Sequence, residues 1–171
     1  LLKDVAKWFP TRSSSRGECQ QVVWRGEDVD LGHLPILKSW PCDGGAFITL
    51  PMVATVDPES GTHNLGMYRM QIFDKRTTGM HWHRHKTGAR HYEGYKARGE
   101  KMPVSVAIGG DPVYAYSATA PVPDNIDEYL LAGLLRGKPV KLVKCITNDI
   151  YVPEDCDFVI EGYVDTTEEK V

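Results

Sequence analysis

From Met80 to Gly88 the chain reads Met-His-Trp-His-Arg-His-Lys-Thr-Gly, its densest run of side chains able to bind a metal or an anion. His81, His83 and His85 alternate with Trp82 and Arg84, so in an extended strand the three imidazoles share one face. Alternate strand residues lie ~6.6 Å apart and the outer pair ~13 Å apart, so one metal ion cannot take all three. A metal here would take one or two of them and complete its shell from elsewhere. The plainer reading is a polar strand face of hydrogen-bonded or exposed imidazoles, and spacing alone favours it.

The neighbourhood adds a second possibility. Arg69, Arg84, Lys86 and Arg90 lie close in sequence to the histidines, with Thr87 and Gly88 offering hydroxyl and backbone donors. A cationic, donor-rich, glycine-flanked patch beside aromatic residues suits a phosphorylated aromatic cofactor. A charged hairpin can also be a solvated surface, but such a surface rarely needs Trp, Met and Tyr interleaved with its charges. Two other polar residues have ordinary structural readings. Glu128 completes an Asn125-x-x-Glu128 capping box, and Asn64 follows Gly61-Thr62-His63 as a turn residue. No Ser-His-Asp or Cys-His arrangement can be assembled, and no G-x-G-x-x-G follows a strand, which argues against a Rossmann nucleotide site.

The elements that must position these residues are mainly strands. Short β-branched or aromatic runs bounded by Gly, Pro, Asn or Asp predict strands at 21–24, 46–56, 67–73, 79–86, 102–108, 140–146 and 158–164. The 67–73 and 79–86 runs, joined by the polar turn Asp74 to Gly79, read as a hairpin. Pro51 marks an edge or bulge in its strand. Helices are expected over 90–98 and 127–135, the latter capped by Asn125, striped by Leu130, Leu131, Leu134 and Leu135, and ended by Gly137. A shorter one follows Asp111-Pro112. Strands outnumber helices about two to one, so the fold is expected to be mainly β or α+β, a barrel with a few packed helices.

Composition bounds the function classes. A chain of 171 residues, 42% hydrophobic, can bury a single core, and its formal net charge of −3 gives no field to attract nucleic acid. No apolar run approaches the ~20 residues of a membrane span, and no leader pattern opens the chain, so a cytoplasmic location is expected. The four cysteines, Cys19, Cys42, Cys145 and Cys156, have no zinc-ribbon spacing and read as free thiols. Residues 1–20 read as a lead-in segment and 21–171 as the domain proper. A chain that begins Leu1-Leu2-Lys3 reads as a trimmed piece of something longer.

Several runs resemble successive blocks of the UbiD family, the 3-octaprenyl-4-hydroxybenzoate carboxy-lyases and related aromatic acid decarboxylases. They are Asn64-Leu65-Gly66-Met67-Tyr68-Arg69, Pro103 to Gly109, Asp127-Glu128-Tyr129 with Ala132-Gly133-Leu134-Leu135-Arg136-Gly137, Val143-Lys144-Cys145 with Asn148-Asp149, and Glu161-Gly162-Tyr163. The resemblance implies a split β-barrel of flavin-reductase type that binds prenylated FMN through its phosphate and a divalent metal, usually Mn2+, with K+ nearby. It implies Asn64 and Glu128 as metal ligands, with His85 the choice for the third and His83 the second choice. Arg69 matches the family Arg near the flavin and the substrate carboxylate, where a planar guanidinium binds an anion bidentately. Met67, Tyr68, His81, Trp82, His83, Lys86 and Thr87 fall in segments that contact the cofactor.

The implied reaction is decarboxylation of an aromatic or α,β-unsaturated acid with the modified flavin as electron sink, in ubiquinone or other quinone synthesis or in aromatic-acid breakdown. Implied partners are a small aromatic carboxylic acid, a flavin prenyltransferase that supplies the cofactor, and further copies of the full-length chain. A polyprenylated substrate would bring the protein to the membrane surface without a transmembrane segment. The family's catalytic acid lies in an E-G-P-[FY]-G-[DE] block shortly after the E-G-Y strand, about where this sequence stops at Val171. The polypeptide by itself is therefore expected to be inactive, operating at most as a flavin-binding module. A histidine-based metal hydrolase is a weaker alternative, for want of a general base beside an open metal site.

Overall fold

A computed structural model of the chain describes residues 5–123 and 126–168. Ten strands fall into three sheets. The central one has the order β10 (Phe158–Val164), β7 (Met102–Ile108), β3 (Met52–Val56), β4 (His63–Met67), every neighbouring pair antiparallel. A second contains β2 (Phe47–Ile48), β5 (Met70–Ile72) and β6 (Thr78–Met80); a third joins β1 (Thr11–Arg12) in parallel to β8 (Lys141–Lys144), which pairs with β9 (Tyr151–Pro153). Three helices, α1 (Thr87–Arg98), α2 (Pro112–Thr119) and α3 (Glu128–Arg136), pack around the sheets. This is the strand-dominated α+β class that the sequence predicts.

Strand β3 explains why the core forms where it does. Its sequence, Met-Val-Ala-Thr-Val, is buried on both faces: Met52 and Ala54 enter the cluster that packs beneath α2 and α3, while Val53 enters a second cluster with Ile48, Tyr68, Met70 and Val106. A strand covered on both faces reads as a continuous apolar run, and the period of two decides only which residue faces which cluster.

Several expectations are corrected. Residues 21–24 form no strand; they lie between 3-10 turns at Glu18–Gln20 and Gly26–Asp28 with Val22, Val23 and Trp24 exposed, so β-propensity had no sheet partner to act through. The 46–56 run splits at Pro51 into β2 and β3, which belong to different sheets, and the 67–73 run begins instead at Met70, after β4 has ended at Met67. Only Thr78–Met80 of the 79–86 run is strand. Lys86 donates its amide to the His83 carbonyl at 3.0 Å, closing a turn, so His81, His83 and His85 do not share a strand face. Helix α1 begins three residues earlier than expected.

In α3 the buried residues are Glu128, Tyr129, Ala132 and Gly133, at helical spacing, whereas Leu134 and Leu135 are exposed. The expected cap, Asn125, lies outside the described residues; Asp127 caps α3, its carboxylate accepting from the Tyr129 amide at 2.7 Å. The segment read as a lead-in is packed: Thr11 donates to Val140 O at 2.9 Å and Cys19 to Glu154 O at 3.2 Å.

Motif residues also tie turns together. Glu161 accepts from the amides of Ile146 (2.9 Å) and Thr147 (2.6 Å), and Asn148 Oδ1 accepts from the Ile150 amide at 3.0 Å. Arg136, at the end of α3, pairs with Asp111 at the α2 cap (2.8 Å) and with Asp155 (3.5 Å), donates to the Tyr114 hydroxyl and lies over the Tyr114 ring. Burial and the Asp155 carboxylate push the Tyr114 phenol pKa upward. Arg136→Met should cost about 2 kcal/mol, since the guanidinium is largely buried but its acidic partners keep access to water. Urea unfolding should show the midpoint falling with an unchanged slope.

Candidate functional site

A cavity of about 420 Å3 opens where β4, the start of α1, the segment after α2 and the first turn of α3 meet. Of the residues singled out in the sequence, Asn64, Met67, Tyr68, Lys86, Thr87 and Glu128 line it. Asn64 and Glu128 come from elements 64 residues apart in sequence, yet both are buried, with about 8% of their surface exposed. Glu128 Oε2 accepts the backbone amide of Leu65 at 3.0 Å. One oxygen of its carboxylate is therefore turned to β4, while Asn125, the other half of the expected capping box, lies outside the described residues.

Tyr68 connects the two sides of the cavity. Its hydroxyl accepts from the Gly88 amide at 3.2 Å and, more weakly, from Asn64 Nδ2 at 3.5 Å. A Cβ on Gly88 would stand 2.9 Å from the Tyr68 ring, and one on Gly66 would overlap the phenol group. Glycine at both positions lets the ring lie between β4 and α1. The cap position of α1, Lys86, makes no side-chain cap bond, and Arg90 donates to the Thr87 hydroxyl at 3.1 Å. Lys86 and Arg90 bring two cationic side chains to the same lining as the buried carboxylate.

The other sequence candidates lie elsewhere. Arg69 is exposed, with its guanidinium 4.7 Å from the centre of the Phe47 ring; His81 packs edge-on against the same ring at 6.1 Å and donates its amide to Arg69 O. Phe47 lines a second, more apolar cavity of about 530 Å3 with Ile48, Leu50, Met52 and Ile108. Trp82 backs the first site, edge-on to Tyr68 at 6.0 Å and near Tyr92 at 5.8 Å. His83 and His85 are exposed and do not line the first cavity. Among the described residues no group of three His, Cys, Asp or Glu side chains is arranged to hold a metal. A cation here would need the Asn64 amide oxygen.

Sequence reasoning missed three contributors. His63 lines the cavity, and burial pushes its pKa down; His91, from α1, is buried and shares a hydrogen bond of 2.9 Å with Thr55. Residues Thr119 to Val122 contribute a wall. The histidines could have been suspected from their places beside Asn64 and Arg90. The 119–122 segment has little side-chain chemistry to signal it.

The fold and site thus define a strand-dominated α+β domain with a polar, cation-walled cleft between an edge strand and two helices. The chain belongs to the UbiD family: the family's 3-octaprenyl-4-hydroxybenzoate carboxy-lyase Rift-related domain matches residues 11–171. It is 46% identical over its whole length to an uncharacterized protein of Archaeoglobus fulgidus and 49% identical over 156 residues to one of Aquifex aeolicus. It spans 35% and 32% of those relatives. Among solved structures, vanillic acid decarboxylase of Sedimentibacter hydroxybenzoicus in its closed form superposes with a TM-score of 0.87 at 28% identity, over 95% of this chain and 36% of that one. The UbiD-class enzyme HmfF of Pelotomaculum thermopropionicum, in complex with FMN, gives 0.85 at 27%, over 95% and 38%. An evolved dimeric form of HmfF in complex with prFMN gives 0.82 at 28%, again over 95% and 38%.

The Glu128–Leu65 bond gives a test that needs no ligand. Glu128→Ala leaves a buried amide unpaired and should cost roughly 1–3 kcal/mol, whereas Glu128→Gln keeps an acceptor and should cost less. Thermal unfolding of the two variants beside the parent chain checks the order.

Proposed function

We propose that this domain is the cofactor-holding core of a decarboxylase that removes CO2 from an aromatic or α,β-unsaturated carboxylic acid with prenylated FMN and a divalent metal, Mn2+ in the first instance. The carrying observation is the cavity whose lining brings Asn64 and Glu128 together with Lys86 and Arg90. A carboxylate and an amide oxygen suit a hard divalent ion, and a cationic wall beside the first turn of a helix suits the phosphate that would share that ion. The volume and polarity of the cleft fit such a group, and the three sheets fit a split barrel. The third ligand in this reading is His85, from the exposed turn preceding α1. K+ would neutralise phosphate charge nearby.

When bound, the modified flavin supplies the electron sink that loss of CO2 requires. The remaining work belongs to the chain. Asn64 and Glu128 would hold the metal, Lys86 and Thr87 would hold the phosphate, and Met67 and Tyr68 would offer a wall to the ring system. Trp82 braces Tyr68 from behind. His81 and His83 flank the cofactor segment. Arg69, held over Phe47, offers a planar guanidinium to the substrate carboxylate at the edge of the apolar second cavity, which suits an aromatic ring. In the whole protein we expect a homo-oligomer in the cytoplasm, supplied by a flavin prenyltransferase. A quinone precursor is one candidate substrate.

The test uses the longer parent protein reconstituted with prenylated FMN and Mn2+. It should release CO2 from 4-hydroxybenzoate-type acids. Arg69→Lys should retain metal and flavin but lose about 100-fold in kcat/KM, ~3 kcal/mol of transition-state stabilisation. Asn64→Ala and Glu128→Gln should instead lose bound Mn2+, read by electron paramagnetic resonance. Full Mn2+ occupancy in Glu128→Gln would contradict the assignment.

A further inference from the structure

The turn between β9 and β10 holds two thiols against each other, remote in role from the cofactor cleft. Cys19 lies in the 3-10 turn Glu18–Gln20, and its amide donates to Glu154 O at 3.2 Å. Cys156, two residues beyond Glu154, is buried and closes a turn on Pro153 O. Both sulfurs address that Pro153 oxygen, Cys156 Sγ at 3.1 Å and Cys19 Sγ at 3.7 Å, so the shared carbonyl holds the two thiols close together. The backbones are pressed together as well: a Cβ on Gly17 would stand 2.9 Å from Glu154 O and 3.0 Å from its Cα. Glycine there is what admits the N-terminal segment to the turn.

We propose that Cys19 and Cys156 are an oxidisable pair that closes to an intrachain disulfide under hydrogen peroxide, pinning the N-terminal segment to the β9–β10 turn. The two thiols are unequal, as such a reaction needs. Cys19 is half-buried and Cys156 is buried; the neighbouring Cys156 lowers the Cys19 pKa, whereas Cys19 and burial raise that of Cys156. Cys19 is thus the nucleophile and Cys156 the resolving thiol. The Cys19 thiolate attacks one peroxide oxygen; the O–O bond breaks, leaving a sulfenic acid, and the released hydroxide takes a proton to become water. Cys156 sulfur then attacks Cys19 sulfur, the S–O bond breaks, and the departing hydroxide takes up the Cys156 proton as a second water. Two thiols lose two electrons and two protons, and one peroxide is reduced to two waters.

The remaining cysteines supply internal controls. Burial pushes the Cys145 thiol up to about 12, which keeps it protonated and inert, and Cys42 is exposed with no cysteine recorded beside it. The disulfide would also hold Asp155, through which the turn meets Arg136.

The experiment treats the whole chain, carrying Cys42→Ser to prevent intermolecular links, with hydrogen peroxide, then blocks remaining thiols after unfolding and maps the peptides by mass spectrometry. The expected result is loss of Cys19 and Cys156 together from the three thiols that the Cys42→Ser chain retains, a Cys19–Cys156 linked peptide, and a higher unfolding temperature that dithiothreitol reverses. In a Cys156→Ser background Cys19 should stop at the sulfenic acid and take a dimedone label. Gly17→Ala should slow linking while leaving Cys19 oxidisable. Over-oxidation of Cys19 with Cys156 still alkylatable, or all three remaining thiols untouched at peroxide levels that oxidise Cys42 in the parent chain, would overturn the proposal.

Discussion

One hydrogen bond joins the two halves of the cleft. Glu128 stands in the first turn of α3, and its carboxylate reaches across to the Leu65 amide of β4, next to Asn64. Without a side chain of that length and acceptor capacity, the Leu65 amide would lose its acceptor and be buried unpaired. The same bond sets the oxygen donors of Glu128 and Asn64 on one cavity wall. Stability and site geometry therefore depend on a single carboxylate, and substitutions there must be read for both.

Other constraints serve that placement at longer range. The Arg136 ion pairs fix the far end of α3 to the α2 cap and to the β9–β10 turn, so the helix is held at both ends. The grip of Glu161 on the turn after β8, and of the Asn148 amide on the Ser105 hydroxyl of β7 (3.0 Å), ties the third sheet to the central one. Tyr68 performs the matching task on the other side, bridging β4 and α1 through a hydroxyl and a ring that only glycine neighbours admit. Much of what marks the family in sequence is thus joinery between turns and helix ends.

The sequence showed the strands with full hydrophobic runs best. The expected 102–108 and 158–164 strands are β7 and β10, residue for residue, because each is bounded by clear turn residues and pairs along its whole length. It showed the hairpin worst. Histidines alternating with Trp82, Arg84 and Lys86 imitate a strand, but Thr87 starts a helix and the chain must turn before it, a demand that resides in tertiary packing rather than in local pattern. The leucine stripe of α3 misled for a related reason: Tyr129 and Ala132, not Leu134 and Leu135, face the core. For the site, residue type alone gave Asn64 as a turn residue and Glu128 as a cap; it was the ordered family blocks that brought them together. His63 and the 119–122 wall gave no such signal.

The function proposed for the cleft depends on where a metal binds. A crystal structure of the domain soaked with FMN and Mn2+ should show anomalous density for the ion inside the cleft, touching the Asn64 amide oxygen and the Glu128 carboxylate, with the phosphate toward Lys86 and the first turn of α1. Metal density confined to the exposed His83–His85 turn, or anywhere that leaves Asn64 and Glu128 untouched, would contradict it.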